Sequence, residues 1–151
     1  LALSVCAATP VLDPYDTQTA PANPTERATL WMDNSDLSYG MITKVDRKRM
    51  PSRKFKGYPY SVAVSPGKHP LKFFIGKISN PSSFDSYTMT TDYEVQIDVE
   101  AGHTYIIGTR NSIEGQVFAG QLIDLGPAKT CRYEVTGKML QGYVPVKLNC
   151  I

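Results

Sequence analysis

Two histidines, three cysteines, a run of alternate carboxylates and a dense basic segment are the residues of this chain with chemistry to offer. His69 and His103 each follow a turn glycine, Gly67 or Gly102, and begin an extended segment. Nucleophilic catalysis needs a Ser or Cys beside an oriented imidazole, and a metal site needs further ligands at defined spacing. With Asp98 or Glu100 the two imidazoles make only a partial ligand set, so the reading is two exposed turn histidines and no metal. Asp92, Glu94, Asp98 and Glu100 are of the type that glycoside hydrolysis uses in pairs. Their even spacing instead puts all four on one side of an extended strand, with Tyr93, Val95, Ile97 and Val99 on the other, the pattern of a solvated outer face. No Gly-x-Ser-x-Gly, His-Glu-x-x-His, phosphate-loop or dinucleotide motif occurs. The chain reads as a non-enzyme, with no cofactor implied.

The basic segment is the strongest candidate for a binding surface. Seven cations (Lys44, Arg47, Lys48, Arg49, Arg53, Lys54 and Lys56) stand against one acid, Asp46, in residues 44–56; this +6 leaves −4 on the remainder of a chain whose net charge is +2. Phe55, Tyr58 and Tyr60 are interleaved with it. Guanidinium and ammonium groups engage phosphates or carboxylates, and aromatic faces stack on sugars. Arg47, Arg49, Arg53, Lys54, Tyr58 and Tyr60 are therefore the expected ligand-binding residues, for an anionic glycan or phosphate-bearing polymer rather than nucleic acid. The competing explanation is that charge on a strand edge prevents sheets from pairing edge to edge. Trp31, the only tryptophan, lies in a strand of alternating character and reads as core.

The opening residues Leu1 to Pro10 read as the apolar tail of a secretory signal, with residues 1–8 as its remnant. Leu3-Ser4-Val5-Cys6 resembles a bacterial lipobox, in which Cys6 is acylated, although Val5 stands where a small residue is usual; ordinary cleavage after Ala7 or Ala8 is the rival. Cys131 and Cys150 are left as one disulfide pair, closing a loop of about 20 residues and contributing ~3 kcal/mol. Two free thiols are the alternative. Residues 9–26, which include Pro10, Pro14, Pro21 and Pro24, have the composition of a tether.

The elements that would position these groups follow from period-two alternation. Strands are expected over 28–32, 37–44, 60–64, 71–78, 90–99, 104–109, 117–125, 131–136 and 144–148, with no sustained helical period. The Pro66-Gly67 and Ala101-Gly102 turns read as the bends of two consecutive hairpins, 60–64 with 71–78 and 90–99 with 104–109. At 42% hydrophobic residues over 151 positions, one domain over 27–151 can bury a core unaided. The expected class is all-β, an antiparallel β-sandwich of about seven to nine strands. No apolar run of about 18 residues is present to cross a bilayer as a helix.

A strand ending in Pro66-Gly67-Lys68-His69, an aromatic strand, then Val99-Glu100-Ala101-Gly102-His103-Thr104-Tyr105 resembles small bacterial exported lipoprotein domains with a transthyretin-like or PEGA-like β-sandwich. The resemblance spans about residues 28–109 and implies fold and export rather than a catalytic role. Together these readings lead to a non-enzymatic cell-envelope lipoprotein, outer-membrane or periplasmic, or else secreted. Its partners would be the membrane, through a lipid on Cys6, and an envelope protein or anionic polymer.

Overall fold

Strand order departs from chain order most at the second strand, whose neighbours come from the middle of the chain and from beyond residue 100. The computed structural model describes residues 12–35, 38–52, 57–79, 87–108, 122–138 and 144–151. Eleven strands are present among them: β1 (Tyr15–Asp16), β2 (Ala28–Asp33), β3 (Ser38–Val45), β4 (Lys48–Arg49), β5 (Ser61–Val64), β6 (Gly67–Ser79), β7 (Tyr87–Val99), β8 (His103–Gly108), β9 (Leu122–Pro127), β10 (Cys131–Val135) and β11 (Val146–Cys150). They form a five-stranded sheet β1-β5-β2-β8-β9, a four-stranded sheet β4-β3-β6-β7 and a two-stranded sheet β10-β11. No helix occurs among the described residues.

The all-β expectation holds, but the five-stranded sheet is mixed rather than antiparallel. β1 runs parallel to β5 and β2 parallel to β8. Both announced hairpins are also corrected. β5 and β6 flank the Pro66-Gly67 turn yet lie in different sheets, as do β7 and β8 around Ala101-Gly102. The two turns hand the chain from one sheet to the other, Gly67 and Gly102 taking φ of 112° and 77°, a region side chains disfavour. The long hairpin is β6–β7, in unbroken register from Gly67↔Val99 to Ser79↔Tyr87. Parallel pairing of β2 with β8 requires such a crossover, because a tight turn joins only antiparallel neighbours.

Two apolar clusters follow from the alternation of β2 and β3. Leu30 and Met32 of β2 join Ile42, Leu71, Phe73 and Ile107 in a cluster drawn from both larger sheets. Trp31, on the opposite side of β2, joins Tyr39, Met41, Tyr60 and Tyr133 in a second cluster closed by β10 and β11. Trp31 is 5% exposed, as its strand pattern predicts, and its ring lies 5.3 Å from that of Tyr133. Tyr133 fixes the dock by donating its hydroxyl to the Met32 carbonyl at 2.6 Å. The Cys131–Cys150 disulfide joins residues directly opposite in the β10–β11 register.

Residues 12–26, read as a tether, are laid on this body. Thr17 donates both its N–H and its hydroxyl to the Ala63 carbonyl, at 3.1 and 2.7 Å, and Leu12 packs against the second cluster. Two-residue strands such as β1 make no periodic pattern, so composition alone dominates the reading there.

Candidate functional site

Each histidine is held by its own carboxylates. Asp46 and Arg47 are the central pair of a two-residue turn between β3 and β4, with φ of 53° and 65°, the left-handed pair of a type I′ hairpin. The turn directs the Asp46 carboxylate at His69, whose Nδ1 lies 2.8 and 2.9 Å from its two oxygens, while Nε2 lies 2.6 Å from the Ser65 carbonyl. His69 is 5% exposed. The expectation of an exposed turn histidine is thereby corrected: β6 begins at Gly67, four residues earlier than its apolar run suggests, and the ring is drawn in. His103 is half-buried, with Nδ1 3.0 Å from both Asp124 oxygens and Nε2 3.3 Å from Glu100. The Gly126 N–H, and after it His103, holds the Asp124 carboxyl below the usual range. All four ring nitrogens thus face protein acceptors rather than a nucleophile. Among the described residues no group of three or more His, Cys, Asp or Glu is arranged to hold a metal ion.

The carboxylates of β7 stand where alternation puts them. Asp92, Glu94 and Asp98 are exposed, with Tyr93, Ile97 and Val99 buried between them. Glu100 follows, and with Asp98, Asp124, Tyr105 and Leu122 it lines a recess of about 340 Å³. Burial pushes the Tyr105 phenol up.

The basic segment is only partly assembled as expected. Register places Arg49 opposite Lys44 and Lys44 opposite Lys72, with Glu94 at the end of the row. Arg49 and Lys44 are exposed and Lys72 half-buried, whereas Val45 and Leu71, one residue along, face the first cluster. Beside this row Arg49 donates Nε and Nη2 to the Tyr58 hydroxyl at 3.1 and 2.7 Å, its guanidinium lying 5.8 Å from the ring centre. Tyr58 in turn meets Phe74 edge-on at 6.5 Å. Arg47 is exposed at the turn tip, and Lys48 reaches Gln18 at 2.8 Å.

Tyr60 does not belong to this surface: it is 7% exposed, its ring 5.8 Å from Tyr133 and its hydroxyl accepting the Val144 N–H at 3.2 Å. Tyr58, two positions earlier, packs against the same second cluster but stays half-buried at its edge. Arg53, Lys54 and Cys6 lie outside the described residues. Lys72 and Phe74 were not foreseen as site residues; the signal was their alternation with Phe73, which sets them on the face opposite the first cluster, where Phe74 packs against the edge of the second.

A second concavity, of about 540 Å³, runs along β2 and β8 beneath the segment joining β9 to β10. Arg27, Thr29, Trp31, His103 and Lys129 contribute to it, together with Pro14 and Pro24. Arg27 Nη1 donates to Asp16 at 3.1 Å, while its Nε is buried and makes no hydrogen bond. No family model, curated protein or solved structure matches the chain.

Proposed function

We propose that this protein is a non-enzymatic binding module of the cell envelope that holds an anionic polymer against the outer side of its four-stranded sheet. The observation that carries the reading is the row Arg49–Lys44–Lys72, in which Lys44 has a cation as register neighbour on either side. Directly opposed side chains have Cβ atoms about 4.5–5.5 Å apart, and like charges at that spacing repel. A polymer bearing phosphate or carboxylate groups, laid across the row, turns that repulsion into attraction. Phe74 and the Arg49-capped Tyr58, half-buried against the second cluster and edge-on to each other, leave part of their rings beside the row for its sugar units.

The remaining parts of the proposal are architectural. The two larger sheets stack as a β-sandwich, a reading favoured by the cluster that takes Leu30 and Ile107 from one and Ile42 and Phe73 from the other. The disulfide favours an oxidising compartment. Acylation at Cys6 would keep the module at a membrane; intact mass of the membrane-bound form, compared with a soluble form lacking lipid, tests that part by itself.

Binding is tested with polyphosphate and polygalacturonate against neutral dextran. At low ionic strength both polyanions should bind and dextran should not, and affinity should fall steeply with salt. Replacing Lys44, Lys72 and Arg49 together by Gln should weaken binding at least about tenfold, or ~1.4 kcal/mol, whereas Lys147→Gln, on β11, should leave it unchanged. Equal binding by the triple variant would remove the basis for this function.

A further inference from the structure

The concavity along β2 and β8 has the features of a small-molecule site, separate from the basic row. Its volume of about 540 Å³ lies within the range of roughly 300–1,000 Å³ typical of ligand pockets. Prolines and alanines, among them Pro14, Pro24, Pro127 and Ala128, form much of its lining. Its floor is a closed hydrogen-bond relay. Trp31 Nε1 donates to Thr29 Oγ1 at 3.1 Å, Thr29 Oγ1 to Thr104 Oγ1 at 3.3 Å, and Thr104 Oγ1 to the Lys129 carbonyl at 3.2 Å. Every proton of that relay is committed within the protein, so the floor offers a ligand no donor.

The donors come from Arg27. Its side chain is 22% exposed, Nη1 is taken by Asp16, and Nε is a buried N–H without a partner. An unmet buried donor is costly, and the Nε–Nη2 edge of a guanidinium is the fork that a carboxylate occupies with both oxygens. Lys129, exposed at the rim, adds a second positive charge. His103 is held by Glu100 and Asp124, and one Arg27 nitrogen by Asp16, which leaves the remaining edge of Arg27 and Lys129 to set the preference. We propose that this groove binds a small organic carboxylate, its charged end on the free edge of Arg27 and its apolar body along the proline lining and Trp31. A modest turn of the guanidinium uncovers Nε as the ligand enters.

Trp31 makes the test direct, since it is the only tryptophan and lines the groove. Octanoate, octan-1-ol and inorganic phosphate serve as probes, read by Trp31 emission and by thermal shift of the folded, disulfide-bonded chain. Octanoate should shift the emission saturably, octan-1-ol should bind about tenfold more weakly for want of the charge, and phosphate should not compete. Arg27→Gln should abolish the octanoate response. Lys129→Gln, an exposed change that leaves the fold intact, should weaken it several-fold, and Lys44→Gln with Lys72→Gln should not alter it. Absence of a saturable response, equal binding of alcohol and acid, displacement by phosphate alone, or an unchanged response in Lys129→Gln would each overturn the assignment.

Discussion

The imidazole of His69 faces only acceptors: both Asp46 oxygens at Nδ1, within 2.9 Å, and the Ser65 carbonyl at Nε2. The ring bridges the β3–β4 turn to the β5–β6 connection. Removing it strands a carboxylate and a carbonyl at once, though Asp46, 36% exposed, recovers part of its solvation from water. His69→Ala should cost about 2 kcal/mol in urea unfolding, and Asp46→Asn about half that because the amide oxygen still accepts. In a double-mutant cycle the two should couple by about 1 kcal/mol. Simple additivity of the two changes would mean that the pair holds nothing together.

The disulfide spans a sequence separation of 19, so replacing Cys131 and Cys150 by Ala should lower stability by about 3 kcal/mol. Because β10 carries Tyr133 onto Trp31, reduction should also move Trp31 emission to longer wavelength as the hairpin loosens. An emission spectrum indifferent to reduction would show that packing alone keeps the hairpin docked.

Gly76 stands directly opposite Tyr39, and a Cβ there would come within 2.5 Å of the phenol ring. Gly76→Ala should therefore cost about 1–3 kcal/mol through the displaced ring. Adding Tyr39→Val, which vacates the space, should make the alanine far less costly, measured as the shift in denaturation midpoint. If the alanine is tolerated with Tyr39 in place, the close approach is not a constraint.

Burial, partly opposed by the Val144 N–H, pushes the Tyr60 phenol from 10.0 up to about 12. The folded chain holds this proton where the unfolded chain releases it. The resulting stabilisation is fully present below pH 10 and is lost as pH rises to about 12. Unfolding free energies taken stepwise through that window should fall more steeply for the native sequence than for Tyr60→Phe. Identical slopes would place the phenol in contact with water.

Alternation made β7 legible residue by residue, from Asp92 out and Tyr93 in to Val99 in, and the same rule assigned Trp31 to a core. What alternation cannot encode is the identity of the neighbour. Val62-Ala63-Val64 carries nothing local that sends it to Leu30 rather than to Phe73, so a Pro-Gly turn between two strands read as a hairpin although it crosses between sheets. The basic row was half visible for the same reason: Lys44 and Arg49 are close in the chain, whereas Lys72 reaches them only through register. His69 was misjudged because its partner, Asp46, lies 23 residues away in a turn whose backbone conformation the sequence does not announce.

β2, the middle strand of the five-stranded sheet, waits on much later parts of the chain. Thr29 meets Thr104 across 75 residues, and Tyr133 reaches Met32 across 101. Closing loops of that length precedes any reward from the contacts they enclose, which is the signature of a slow folder. During synthesis β2 can pair with β5 once residues 61–64 follow it, but the edge of Leu30, Trp31 and Met32 that takes β8 stays open until residues 103–108 have been made. Over that interval an apolar strand edge stands open to pairing with other chains, a hazard that the late arrival of β8 builds into the order of synthesis.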